Sequence, residues 1–264
     1  MSNAVEHTPP DTNHTGDTGD TGAPSSPAAG DQPTRVWGTL DGVEITFPMV
    51  VNSMDVATVM FTADAAVAQS LIPGDDFVVL EVEPGRAQFV LAACDYIDNP
   101  WGDYLELNLG FLVAERQRPD QMGSFVYRMP VDQEFTCRAG NEVMGFPKTV
   151  EQLSCQRTTD AVTFGWEREG EMVMSLRVAR VAAAGEPMAV ETSSYSYLNG
   201  VPYATPLQMQ MASGVVDPAA VELRLGRGQA ADELRSLALS DPTFATWGEG
   251  LAATFGLGSP IASA

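Results

Sequence analysis

The chain has 264 residues, 44% of them hydrophobic, and a formal net charge of −21. That is enough apolar side chain for one substantial core, while the acidic balance disfavours nucleic acid and anionic membrane surfaces, which need clustered positive charge to bind. The cysteines Cys94, Cys137 and Cys155 lack CxxC spacing and read as reduced cytosolic thiols, and both histidines, His7 and His14, precede residue 35, so histidine nucleophile systems and histidine metal sites are excluded from the body of the chain.

Residues 1–34 are polar and rich in glycine, proline and threonine, with no lysine, arginine or apolar run. They predict a disordered acidic leader, neither signal nor transit peptide, ahead of a single domain over 35–264. No window approaches a transmembrane helix, so a cytoplasmic protein is expected.

From residue 35 onward short strands dominate, and 24 glycines with 18 prolines favour turns over long helices. Residues 36–47 predict a hairpin about Asp41-Gly42, a pair that tolerates positive φ. A strand over 57–61 leads into a short helix over 64–71, stopped by Pro73-Gly74. Residues 77–82 and 87–94 predict a second strand pair about Glu83-Pro84-Gly85. The strand over 104–113 alternates, with Leu105, Leu107, Leu109, Phe111 and Val113 on one side and Tyr104, Glu106 and Asn108 on the other. Its apolar side faces a core. Its polar side is either solvated or lines a cavity in a closed or conical barrel, and periodicity does not choose between them.

Residues 131–144 predict a helix opened by Asp132, with Glu134 in its first turn, and closed by Gly145. Pro147 pushes Phe146 into an extended conformation, so Lys148 emerges from a stiff helix-to-strand corner. Strands over 153–158, 162–166 and 172–181, further strand and loop over 193–211, a strand over 221–225 and a helix over 229–239 complete the pattern.

Lys148 is the single lysine of the chain; every other basic residue is arginine. A primary amine condenses with a ketone to give a Schiff base, and a guanidinium, always protonated, does not. Imine chemistry is therefore one reading of the retained amine. The other is a codon economy that turned lysines into arginines and left one behind.

The segment Gly140-Asn141-Glu142-Val143-Met144-Gly145-Phe146-Pro147-Lys148 is similar to the helix-end motif that carries the Schiff-base lysine in the acetoacetate decarboxylase superfamily. Gly102-Asp103-Tyr104-Leu105-Glu106 looks like that family's strand with the acid/base glutamate. Glu222-Leu223-Arg224-Leu225-Gly226 and Ala231-Asp232-Glu233-Leu234-Arg235-Ser236-Leu237 resemble its C-terminal part.

The resemblance implies a mainly β (α+β) fold, an antiparallel β-cone or closed barrel flanked by short helices, with the site inside the cone and a homo-oligomeric assembly. It implies Lys148 as nucleophile and Glu106 as proton carrier, with Tyr104, Met54, Val90, Phe146 and Thr149 lining the pocket. It also implies a small-molecule carbonyl substrate with no cofactor and no metal. Three positions depart from the family's decarboxylases: Thr149 stands where a second lysine follows the nucleophile, Met54 where an arginine stands, and Val90 where an acidic residue stands. A guanidinium grips a carboxylate in two hydrogen bonds and methionine grips nothing, so the site reads as more apolar than a small keto acid calls for. Three readings follow: a decarboxylase-like lyase on a keto acid or ketone, pyruvate aldolase-dehydratase chemistry on the same lysine, and a non-catalytic binding protein that keeps the pocket.

Overall fold

The structure, a computed structural model, describes residues 33–184 and 186–261. The leader expected over 1–34 therefore lies almost wholly outside the described residues. The hairpin β1 (Arg35–Leu40) and β2 (Val43–Phe47) turns at Asp41-Gly42, both at positive φ, as that residue pair predicts. It is followed by β3 (Met49–Asp64), helix α1 (Ala65–Ser70), the short strands β4 (Phe77–Val79) and β5 (Glu81–Glu83), and the long strands β6 (Arg86–Asp98), β7 (Tyr104–Glu115) and β8 (Arg118–Val131). Helix α2 (Glu134–Ala139) runs into a π-helical turn, Gly140–Met144, and then β9 (Lys148–Val150). Strands β10 (Gln152–Arg157), β11 (Ala161–Arg168) and β12 (Glu171–Ala179) form a meander, and β13 (Met188–Leu198) with β14 (Val201–Met211) forms a hairpin. The chain ends with β15 (Ser213–Val216), β16 (Glu222–Leu225), α3 (Gln229–Ser236), β17 (Phe244–Phe255) and β18 (Ser259–Pro260).

Hydrogen bonding runs from β17 through β3, β6, β7, β8, β13 and β14 and returns from β14 to β17, which closes a seven-stranded barrel. Its neighbours pair antiparallel except at β8 and β13, which meet in parallel at Ser194↔Ser124 and Tyr195↔Phe125. A separate antiparallel sheet, β10–β11–β12–β16, packs against one face of the barrel strands.

That packing divides the apolar side chains in two. The larger cluster joins Ala57, Val59, Phe61, Phe89, Leu91, Leu107, Leu109 and Phe111 of the barrel to Phe164, Trp166, Met174 and Leu176 of the second sheet and Leu234 of α3. The opposite face of the same strands belongs to the smaller cluster, where Met54, Cys94, Tyr96 and Tyr104 meet Met129, Val131, Cys137, Val143, Met144 and Phe146. The alternation expected over 104–113 is thus realised, with both faces used.

Several elements differ from the sequence expectation. The strand predicted at 57–61 is the sixteen-residue β3, because a register shift between Ser53 and Met54 lets the pairing with β6 continue through a stretch whose periodicity is broken. The strand β17 carries no run of large apolar residues and is fixed by pairing with β3 on one side and β14 and β15 on the other. The helix expected over 131–144 starts later. Asp132 does not cap it, because its Oδ1 accepts from the Leu105 amide at 2.8 Å in the β7–β8 ladder. Gln133 caps instead, accepting from the Thr136 amide at 3.0 Å while donating to the Trp101 carbonyl at 2.9 Å.

Candidate active site

The pairing of β3, β6 and β7 sets side chains in rows across one face. Met54 lies opposite Tyr96, which lies opposite Tyr104; the next row is Val56, Cys94 and Glu106, and the next Thr58, Ala92 and Asn108. On the other side of β7, Glu106 pairs with Val131 of β8, and Met129, two residues back on the same face, pairs with Lys148 of β9. The backbones of β7 and β9 are thus two strand spacings apart, about 10 Å, a gap that a lysine and a glutamate span together.

They meet there. Lys148 Nζ lies 2.6 Å from Glu106 Oε2, with side-chain exposures of 5% and 4%. Apart from the amine no donor reaches Oε2, so the amine is what compensates it, whereas Oε1 accepts from Asn108 Nδ2 at 3.0 Å and the Tyr96 hydroxyl at 3.3 Å. The carboxylate is held by one oxygen and presents the other to the amine. A buried carboxylate is strongly penalised without such partners.

The lysine is positioned as firmly. Gly145 ends the π-helical turn at φ 69, and a side chain there would come within 2.6 Å of the Tyr197 carbonyl oxygen. The amides of Gly145 and Phe146 both donate to the Gly140 carbonyl, which tightens the corner ahead of Pro147. Asn141 then clamps the Lys148 backbone from both sides: its Oδ1 accepts from the Lys148 amide at 2.8 Å and its Nδ2 donates to the Lys148 carbonyl at 3.1 Å. At the far end Nζ donates to Thr136 Oγ1 at 3.3 Å and sits 5.2 Å from the centroid of the Tyr104 ring, within cation–π range.

Burial, reinforced by the Glu106 charge, pushes the hydroxyls of Tyr96 and Tyr104 and the Cys94 thiol well above their usual ranges. All three stay protonated at neutral pH. The two tyrosine rings stack at 4.3 Å and 11°, forming a flat aromatic wall beside the ion pair. The site therefore combines one amine and one carboxylate with neutral, weakly donating walls.

The other positions singled out from the sequence are spread more widely. Met54 is in the row next to Glu106, opposite Tyr96, and is buried. Val90 shares the face but stands two rows further along β6, about 13 Å from the Glu106 row at ~3.3 Å per residue. Phe146 is buried in the smaller cluster. Thr149 follows Lys148 on β9, and successive strand residues point to opposite faces, so its side chain leaves the strand away from the amine. Thr136, Tyr96, Gly140 and Asn141 were not singled out as site residues. Asn108 had a usable signal, its i+2 spacing from Glu106; the others come from elements whose placement only the fold supplies.

Residues 35–257 match the acetoacetate decarboxylase (ADC) family, and the chain belongs to it. No curated protein matches the sequence. Among solved structures, the acetoacetate decarboxylase of Legionella pneumophila subsp. pneumophila str. Philadelphia 1 is similar at 15% identity and a TM-score of 0.62, over 81% of this chain and 87% of that one. The enduracididine biosynthesis enzyme MppR complexed with pyruvate is similar at 15% identity and 0.59, over 83% and 92%. An acetoacetate decarboxylase-like enzyme from Sphingomonas wittichii RW1 is similar at 16% identity and 0.54, over 82% and 94%. At these identities the likeness shows a shared fold, and a fold by itself licenses no reaction.

Proposed function

We propose that the protein is a Schiff-base lyase acting on a keto acid or ketone, with Lys148 as nucleophile and Glu106 as proton carrier. The observation that carries this reading is the buried 2.6 Å approach of the only amine side chain in the chain to a carboxylate with no other partner on that oxygen. An ammonium has no free electron pair. Transfer of its proton to Glu106 Oε2 frees the Nζ pair for attack on the substrate carbonyl carbon, and the proton that the now cationic nitrogen sheds passes to the former carbonyl oxygen to give a neutral carbinolamine. Glu106 returns its proton to the departing hydroxyl, water leaves, and an iminium remains on Lys148.

With a β-keto acid, the electron pair of the bond to the carboxylate moves into the iminium, which releases carbon dioxide and leaves an enamine. Protonation of the enamine carbon and hydrolysis then return the amine. Tyr96 and Asn108, both on Oε1, keep Oε2 facing Nζ through these transfers.

A second reading uses the same enamine, formed by loss of a proton from pyruvate or another ketone and captured by an aldehyde. One observation favours it. The side chain beside Tyr96 is Met54, buried and apolar, which offers a substrate carboxylate no hydrogen bond and suits a ketone as the donor. MppR, similar in fold, is known complexed with the condensation product of pyruvate and imidazole 4-carboxaldehyde.

Borohydride reduction in the presence of a panel of keto acids and ketones tests the shared step, because it freezes an imine as a secondary amine that intact mass and peptide mapping detect. An adduct at Lys148, absent in Lys148→Ala, is expected. If no carbonyl compound can be trapped at any pH between mildly acidic and mildly alkaline, the lyase reading fails and a binding pocket replaces it.

A further inference from the structure

We infer that Gly140 is a positioning residue for the amine: its missing side chain is the space in which the methylenes of Lys148 lie. A Cβ at residue 140 would stand 2.5 Å from Lys148 Cδ and 2.7 Å from Cε, closer than carbon atoms pack, and a tight 3.2 Å from Cγ. The three nearest atoms are all lysine side chain. Gly140 has φ −60 and ψ −43, ordinary right-handed helical values, so its own backbone does not need a glycine. Glycine is the poorest helix former after proline, and in the first position of the π-helical turn its presence runs against local propensity. A residue whose backbone and propensity would accept alanine, and whose nearest obstruction is one lysine side chain, is kept small for that side chain.

What the lysine gains is direction. Its backbone is clamped by Asn141 and its Nζ rests between Thr136 Oγ1 at 3.3 Å and Glu106 Oε2 at 2.6 Å. With both ends fixed, the side chain takes the path over Gly140. A methyl group on that path moves flexible methylenes rather than backbone, so the domain still folds, but Nζ is carried off its two partners. The π-helical turn and Gly140 together thus form a cradle that sets the height of the amine relative to Glu106.

The inference rests on the Schiff-base reading for its consequence in activity and on packing alone for its geometry, and the two can be tested apart. Under the trapping conditions that label the wild-type protein, Gly140→Ala is expected to trap about a hundredfold more slowly, the usual effect of an ångström-scale misplacement of a reacting group. Wild-type-like trapping by Gly140→Ala would overturn the inference. The second measurement does not use the reaction. In a Lys148→Ala background, where the methylenes are gone, adding Gly140→Ala should leave the melting temperature unchanged or raise it. A drop of several degrees there would show that the glycine serves helix packing rather than the lysine, and would also overturn the inference. If the wild-type protein traps nothing, the Schiff-base reading falls, and this melting comparison alone decides whether Gly140 cradles the amine.

Discussion

Replacing Lys148 by methionine isolates the electrostatic part of the site. Methionine nearly fills the volume of the lysine methylenes, so the cavity contribution is small and the main change is loss of the Nζ that compensates Glu106 Oε2. Both side chains are almost wholly buried, and removing one member of a buried pair costs about 3–5 kcal/mol because it strands the other charge. Glu106 Oε1 retains Asn108 and Tyr96, which points to the lower end, about 3 kcal/mol. For a domain of this size that is a fall in melting temperature of about 10 °C. Urea denaturation at pH 7 should show the same loss as a lower midpoint with an unchanged slope. The double variant Lys148→Met with Glu106→Gln should recover most of it, since a neutral amide keeps the oxygen that Asn108 and Tyr96 address and leaves no charge stranded. A loss within about 0.5 kcal/mol, typical of a surface substitution, would refute the picture of a buried, mutually dependent pair.

Glu106→Gln alone should slow turnover by about 10²–10⁴-fold while leaving borohydride trapping at Lys148 detectable, because it removes the proton carrier and not the nucleophile; loss of trapping together with turnover would count against separate roles. Gly145→Ala should lower the urea midpoint by the equivalent of at least about 1 kcal/mol, since φ is 69 and the added Cβ would meet the Tyr197 carbonyl oxygen at 2.6 Å; an unchanged midpoint would mean the corner relaxes freely. Thr149→Lys should leave the pH profile of trapping unchanged, because β9 turns residues 148 and 149 to opposite faces, and a displaced profile would show that the new amine reaches the site. Acetoacetate should release carbon dioxide slowly, while a ketone with an apolar aldehyde should give conjugated-enone absorbance; brisk acetoacetate turnover would show that Met54 does not limit recognition of a carboxylate.

Lys148 could be singled out from the sequence itself, as one amine in a chain of arginines after Gly145 and Pro147, whereas Glu106 was reached through the resemblance of residues 102–106, since periodicity left its side of the strand either solvated or lining a cavity. The turn chemistry of Asp41-Gly42 and the leucine and phenylalanine face of β7 were equally legible, since φ preference and a period of two need no knowledge of the rest of the chain. The closing of the barrel was legible only through the family resemblance, because β17 is fixed by hydrogen bonds to three other strands and not by its own periodicity. The start of the helix before Lys148 was not legible: Asp132 is a good cap by residue type, but the ladder with Leu105 claims its carboxylate and passes the role to Gln133. Tyr96 and Thr136 reach the ion pair only through the register of β6 on β7 and the docking of α2 beside β8 and β9, and Gly140 reads as a helix residue until Lys148 is seen to lie across it. Local preference names the groups able to react; long-range pairing, which depends on every strand between them, decides which of them touch.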